Sequence, residues 1–193
     1  MRLRLVNLLV LAGLAATPAS NAIQQPQLPV AVCVVAPRVE PVEEADALGI
    51  VPVDRPRLVV VEPLLELRIA RARATTWRLV GSPGEPIRTP LDWPTAPILP
   101  GELVLLQLRP QDAPVDAFAH VHLVGAATGR MESSRRLIEG LPGSGPAWIS
   151  AIDTALRAGD VPLAWSLLFA PQAPADADLA ALQEEVVRRG CGG

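Results

Sequence analysis

From Leu58 onward the chain alternates. Leu58-Val59-Val60-Val61 is an apolar block bounded by Pro56 and Pro63. Leu65, Leu67 and Ile69 then alternate with Glu66, Arg68 and Ala70. Period two is the mark of a strand with one buried face. Trp77 and Leu79 alternate with Thr76, Arg78 and Val80; Val104, Leu106 and Leu108 share one face of Glu102 to Arg109; Ala119, Val121 and Leu123 share one face of Phe118 to Val124, with Phe118, His120 and His122 on the other. Gly81-Ser82-Pro83-Gly84, the prolines at 94, 97 and 100, and Pro110 to Pro114 separate these blocks as turns. Upstream, Val30 to Val35 around Cys33 reads as another strand. With it the pattern predicts about six to seven short strands, the signature of a β-sandwich.

The period changes after Gly129. Met131, Leu137 and Ile138 are scattered among charges from Arg130 to Glu139. Trp148, Ile152, Ala155 and Leu156 follow at helical spacing within Ala147 to Ala158, and Gly159-Asp160 stops that helix. Val161 to Phe169 predicts a second helix. A third, capped by Asp176 or Asp178, runs to Arg189 with Leu179, Leu182, Val186 and Val187 on one stripe. Between Arg38 and Pro56, prolines and acids predict a connector, with one helical turn at Glu43 to Leu48. The expected architecture is mainly β then α: an N-terminal strand and Pro/acidic connector over 23–56, a β-sandwich over 57–127, and a C-terminal segment of three to four short helices over 128–193.

The blocks Trp77-Arg78-Leu79-Val80, Leu91-Asp92-Trp93-Pro94 and Leu99-Pro100-Gly101-Glu102 resemble immunoglobulin- or fibronectin-type-III-like accessory domains of bacterial envelope proteins. The resemblance spans about residues 57–125. It implies a sandwich fold and a supporting role, and carries over no catalytic residue. The chain has no Tyr, so the tyrosine corner of such domains is missing.

The N-terminus has a separate pattern. Arg2 and Arg4 precede an apolar run from Leu5 to Ala16, then Thr17-Pro18 and the small-x-small triplet Ser20-Asn21-Ala22. This predicts residues 1–22 as a cleavable export signal cut between Ala22 and Ile23, with a cut after Ala19 as the alternative. Pro29-Val30-Ala31-Val32 before Cys33 is not a lipobox. No later run approaches the ~20 apolar residues needed to span a bilayer. The expected location is the periplasm or the extracellular medium, without stable membrane insertion after cleavage. Disulfides persist there, so the only cysteines, Cys33 and Cys191, are expected to bridge the two ends of the mature chain.

Composition narrows the chemistry. Half the residues are apolar, enough for a core. All 17 basic residues are Arg, which removes every mechanism needing a Lys amine, and a net charge of −3 disfavours nucleic acid as a partner. No G-x-S-x-G occurs, Ser133 and Ser134 lack a Lys, and the 81–84 turn lacks the Lys and helix of a phosphate loop. The expectation is therefore a protein without catalytic residues or cofactor, a structural or protein-interaction module whose partner is another envelope protein. Two alternatives stand beside it. His120 and His122, about 7 Å apart on one strand face, form half of a metal site for a secreted metal-binding protein or hydrolase, with Asp112 and Asp116 nearby. Trp93, in a Pro-flanked turn, is the Trp expected to be partly exposed, as a carbohydrate or peptide contact; Trp77 and Trp148 read as core. Arg68, Arg71, Arg73 and Arg78 form a basic cluster suited to a solvated face or an anionic partner.

Overall fold

A computed structural model describes residues 30–41, 47–72 and 74–190. The elements run β1 (Val34–Ala36), β2 (Glu40–Pro41), β3 (Ala47–Val51), β4 (Val59–Val60), β5 (Leu64–Arg71), β6 (Ala74–Val80), β7 (Leu103–Pro110), β8 (Ala119–Gly125), α1 (Thr128–Gly140), α2 (Gly145–Arg157), α3 (Val161–Leu168) and α4 (Ala177–Arg189). The protein is thus mainly β followed by helices. The export signal, with Ala22 and Ile23, lies outside the described residues, as do Arg73 and Cys191.

Six strands form one mixed sheet in the order β2-β3-β8-β7-β5-β6, and β1 and β4 form a two-stranded ladder. All pairings in the large sheet are antiparallel except β3 with β8. Its inner face is a continuous aliphatic layer: Leu67, Ile69, Val104, Leu106, Leu108, Val121 and Leu123 are all buried. This is the alternation read from the sequence for β5, β7 and β8, whose inward positions are mostly large and apolar.

The β1–β4 ladder is the wall between two cores. Val34 and Val60 pack into the core under the large sheet. Val35, Ala36 and Val59 face the other way, into a core built with Trp148, Ile152, Leu167, Leu168, Phe169 and Leu179. The helices therefore complete their burial against β1 and β4, and the C-terminal segment shares its core with strands from the start of the described chain. Their ends follow local rules. The Asp160 carboxylate accepts from the Leu163 N–H at 3.1 Å, and Asp176 accepts from the N–H groups of Asp178 and Leu179 at 3.0 and 3.1 Å. Gly145 opens α2 where a Cβ would stand 2.0 Å from the Asp176 carboxyl carbon, so only glycine fits. Arg130 of α1 reaches Asp160 at 2.6 Å.

One expectation fails in the connector. The helical turn at Glu43 to Leu48 is replaced, from Ala47 on, by strand β3, which lies parallel to β8; residues 42–46 lie outside the described residues. The sheet therefore begins before residue 57. Inward positions of β3 begin with the small Ala47 and Gly49 before the buried Val51, and at Gly49 a Cβ would lie 2.7 Å from the Arg38 carbonyl oxygen. Its large residues, Leu48 and Ile50, point outward. A strand without a large buried face has no period-two signal to read.

Candidate functional site

The outer face of the six-stranded sheet, away from the helices, carries the distinctive chemistry. Register places its side chains in four rows across the strands. Ile50, Val124 and Leu103 form the first; Leu48, His122, Leu105 and Ala70 the second. His120, Gln107, Arg68 and Arg78 form the third, and Arg109, Glu66 and Val80 the fourth. The first two rows are mostly apolar and the last two are charged.

Several of the apolar side chains are open to solvent. Leu48 is 40%, Ile50 47%, Leu103 55% and Val80 53% exposed. These apolar side chains gather on one face rather than scattering singly.

Glu66 anchors the charged end. It is only 2% exposed, and a buried carboxylate needs countercharges. Arg68 Nε donates to its Oε1 at 2.6 Å, Arg78 Nε donates to the same oxygen, and Arg109 reaches Oε2 at 3.5 Å. The hydrogen bond from Arg78, then that from Arg68 and the positive charge of both, hold the Glu66 carboxyl down at about 2 against the opposing cost of burial. Arg68 and Arg78 are direct cross-strand neighbours. Two like charges there would repel; the carboxylate between them fixes the pair instead. Because both bind Glu66 through Nε, the planar NH1 and NH2 ends of their guanidiniums are not used by it. Arg68 also lies over the Phe118 ring, 4.3 Å from the centroid. Three guanidiniums around one carboxylate leave this end cationic on an acidic protein.

The expected basic cluster is thereby divided. Arg68 and Arg78 sit together on the outer face. Arg71 turns to the inner side, where it meets Glu102 at 3.0 Å and donates to the Pro97 carbonyl at 3.2 Å. His120 and His122 share the outer face as expected, with a His120 ring nitrogen 3.4 Å from Gln107 Nε2. Among the described residues no group of three or more His, Cys, Asp and Glu could hold a metal ion. Asp112 and Asp116 are exposed in the β7–β8 turn.

Trp93 corrects an expectation. It is 6% exposed and donates its ring N–H to the Ala96 carbonyl at 2.9 Å. The turn at Pro94 folds the indole inward and satisfies its one polar atom locally, so it presents no surface to a carbohydrate or peptide. Trp148 is buried and Trp77 packs half-buried at the rim of the core. The Trp bordering a cavity is Trp165, which the periodicity of α3 did not set apart. It lines a cleft of about 520 Å³ between the sheet and the helices, with Ile98, Met131, Ile138 and Phe169. Two of the arginines at that cleft pair with carboxylates: Arg135 with Glu139 at 3.0 Å and Arg57 with Asp92 at 2.9 Å. Leu48 and Ile50 of the outer face were also not legible, for the reason given for β3.

Compared with known proteins, the chain matches no family model, no curated protein and no solved structure.

Proposed function

We propose that this is an exported, non-catalytic interaction module of the bacterial periplasm or envelope, built on an immunoglobulin-like sandwich, that binds another envelope protein through the outer face of its six-stranded sheet. The observation that carries this reading is the gathering of exposed Leu48, Ile50 and Leu103 beside a cationic end organised by one buried carboxylate. A monomer gains nothing from leaving such rows in water.

The sandwich reading is supported by strand order. In immunoglobulin domains one sheet runs G-F-C and the other contains A, B and E. Here β8-β7-β5 has the first arrangement, while β1, β4 and the isolated bridge from Leu58 to Leu91 have the second. Export is supported by the leader pattern in the sequence. No helix among the described residues is long and apolar enough to cross a membrane.

The Cys33–Cys191 bridge belongs to the same reading. Its support is the position of Gly190, the residue before Cys191. A Cβ there would lie 3.3 Å from a Val35 methyl, two residues from Cys33. The C-terminal helix thus ends beside the strand that Cys33 precedes. A bridge closing so long a loop contributes about 4–5 kcal/mol in the chain-entropy model.

The test of the binding surface is the double variant Ile50→Asp/Leu103→Asp. Both positions are solvent-exposed, so the variant is expected to melt within a few degrees of wild type. It is also expected to lose the cross-linked adduct that the full chain forms with its partner in envelope preparations treated with an amine-independent cross-linker. An adduct retained at wild-type yield by a folded variant would refute the surface.

A further inference from the structure

The end of the sheet beyond the arginines is an uncovered edge. Strand β6 has seven residues and pairs only with β5 among the described residues. The Gly81 N–H bonds to the Leu65 carbonyl at 2.9 Å. Antiparallel pairing alternates, so Leu79 and Trp77 exchange hydrogen bonds with Leu67 and Ile69, their register partners. The backbone N–H and C=O of Arg78 and Val80 therefore face away from β5, toward the edge. An edge presenting unpaired groups in this way accepts another strand unless it is blocked, and no Pro or Lys interrupts β6.

The two sides of the edge differ. On the outer face, Arg78 is held by Glu66 with more than half of its side chain exposed. On the inner face, Trp77 and Leu79 point to the core but are only partly buried, and among the described residues no strand lies beyond them. A strand added to β6 would have one set of alternate side chains beside Arg78 and the other set over Trp77 and Leu79.

We infer that β6 is the docking edge for an extended segment of the partner that alternates acidic and apolar residues, pairing as an added strand with a carboxylate beside Arg78 and its apolar side chains covering Trp77 and Leu79. Charge complementarity selects the acidic side: three guanidiniums surround one carboxylate here, and Arg78 keeps its terminal nitrogens for a second anion. The half-buried Trp77 and Leu79 select the apolar side. Strand addition supplies affinity through the backbone and specificity through alternate side chains. The inference rests on the interaction-module reading and adds the partner's chemistry to it.

The experiment uses the full chain, isotopically labelled, titrated with a short synthetic peptide alternating Val and Glu and with its Val and Lys counterpart. The Val/Glu peptide is expected to shift the Arg78 and Val80 amide resonances and slow their hydrogen exchange, while the Val/Lys peptide leaves them unchanged. Arg78→Glu should weaken binding of the acidic peptide about tenfold and confer binding of the basic one. Val80→Pro removes an edge donor without touching the β5 ladder, and should abolish binding in a protein that melts like wild type. Equal response to both peptides, no response to either, or undiminished binding by folded Val80→Pro would overturn the inference. An adduct formed in the producing cell by a photoreactive residue placed at the exposed Leu103, alongside peptide failure, would confine that failure to the edge and leave the sheet-face reading standing.

Discussion

Arg71 and Arg78 flank the same hairpin and meet opposite fates. Arg71 is closed off. One terminal nitrogen serves both Glu102 oxygens at 3.0 and 3.1 Å and the Pro97 carbonyl, and the other serves the Ala96 carbonyl. Glu102 in turn accepts from the Leu99 N–H at 2.9 Å. This is a one-to-one ion pair that fastens the 95–102 loop to the end of β5. Arg78 belongs to a three-to-one cluster in which the single carboxylate binds Arg68 and Arg78 through Nε and leaves the outer ends of those two guanidiniums over. The difference is stoichiometric. Where charges match and both terminal nitrogens are used, the arginine holds a loop; where cations exceed the carboxylate on an open sheet face, they are available to something else.

The largest effect should come from removing the carboxylate that organises the open cluster. Glu66→Gln leaves three adjacent guanidiniums without a counterion and is expected to cost about 3 kcal/mol, read as a lower midpoint in urea denaturation. Arg71→Met should come next, at about 2 kcal/mol, because it strands the Glu102 carboxylate and frees the 95–102 loop. It is expected to leave peptide binding at β6 intact, which separates the two arginines by function.

The pH dependence sharpens the same contrast. The Glu66 carboxyl is held at about 2 in the folded protein, below its ordinary value of 4.5. A group depressed in this way binds its proton more readily in the unfolded chain. Its contribution is therefore complete above about pH 5 and is lost as pH falls from 4.5 toward 2. Unfolding free energy measured by denaturant at successive pH values should decline through that window, and the Glu66→Gln variant should decline less steeply. Equal slopes would mean that the carboxylate is not held by its arginines. The smallest stability effect belongs to Arg78→Ala, since its side chain is 55% exposed and solvent screens the ion pair. That variant should nonetheless bind the acidic peptide several-fold more weakly. Small stability cost with weakened binding at Arg78, and the reverse at Arg71, is the expected pattern.

Much of the scaffold was legible because large residues and caps write it plainly. The alternation in β5, β7 and β8 is carried by Leu, Ile and Val, and α3 and α4 start at Asp160 and Asp176, whose carboxylates accept the expected backbone bonds. Strand β3 escaped because its inward positions begin with Ala47 and Gly49, which give no period. Trp93 was misplaced because a Pro-flanked turn reads as surface, while its indole needed only the Ala96 carbonyl to be buried. The site was legible in part. Arg68 and Arg78 stood out as neighbours on two strands, but Glu66 read as an ordinary solvent-facing position. Its burial depends on a third arginine, Arg109, more than forty residues away, and on cross-strand register, which no local pattern encodes.

The central claim is that the outer sheet face, and not the helical surface, meets a partner. A photoreactive residue placed at Leu103 on the sheet face, or at Leu156 on the far-side helix α2, two positions 55% and 44% exposed, tests it directly in the producing cell. A discrete adduct from position 103, lost in Arg78→Glu, with none from position 156, is the predicted result. Adducts from 156 alone, or equal adducts from both, would contradict it.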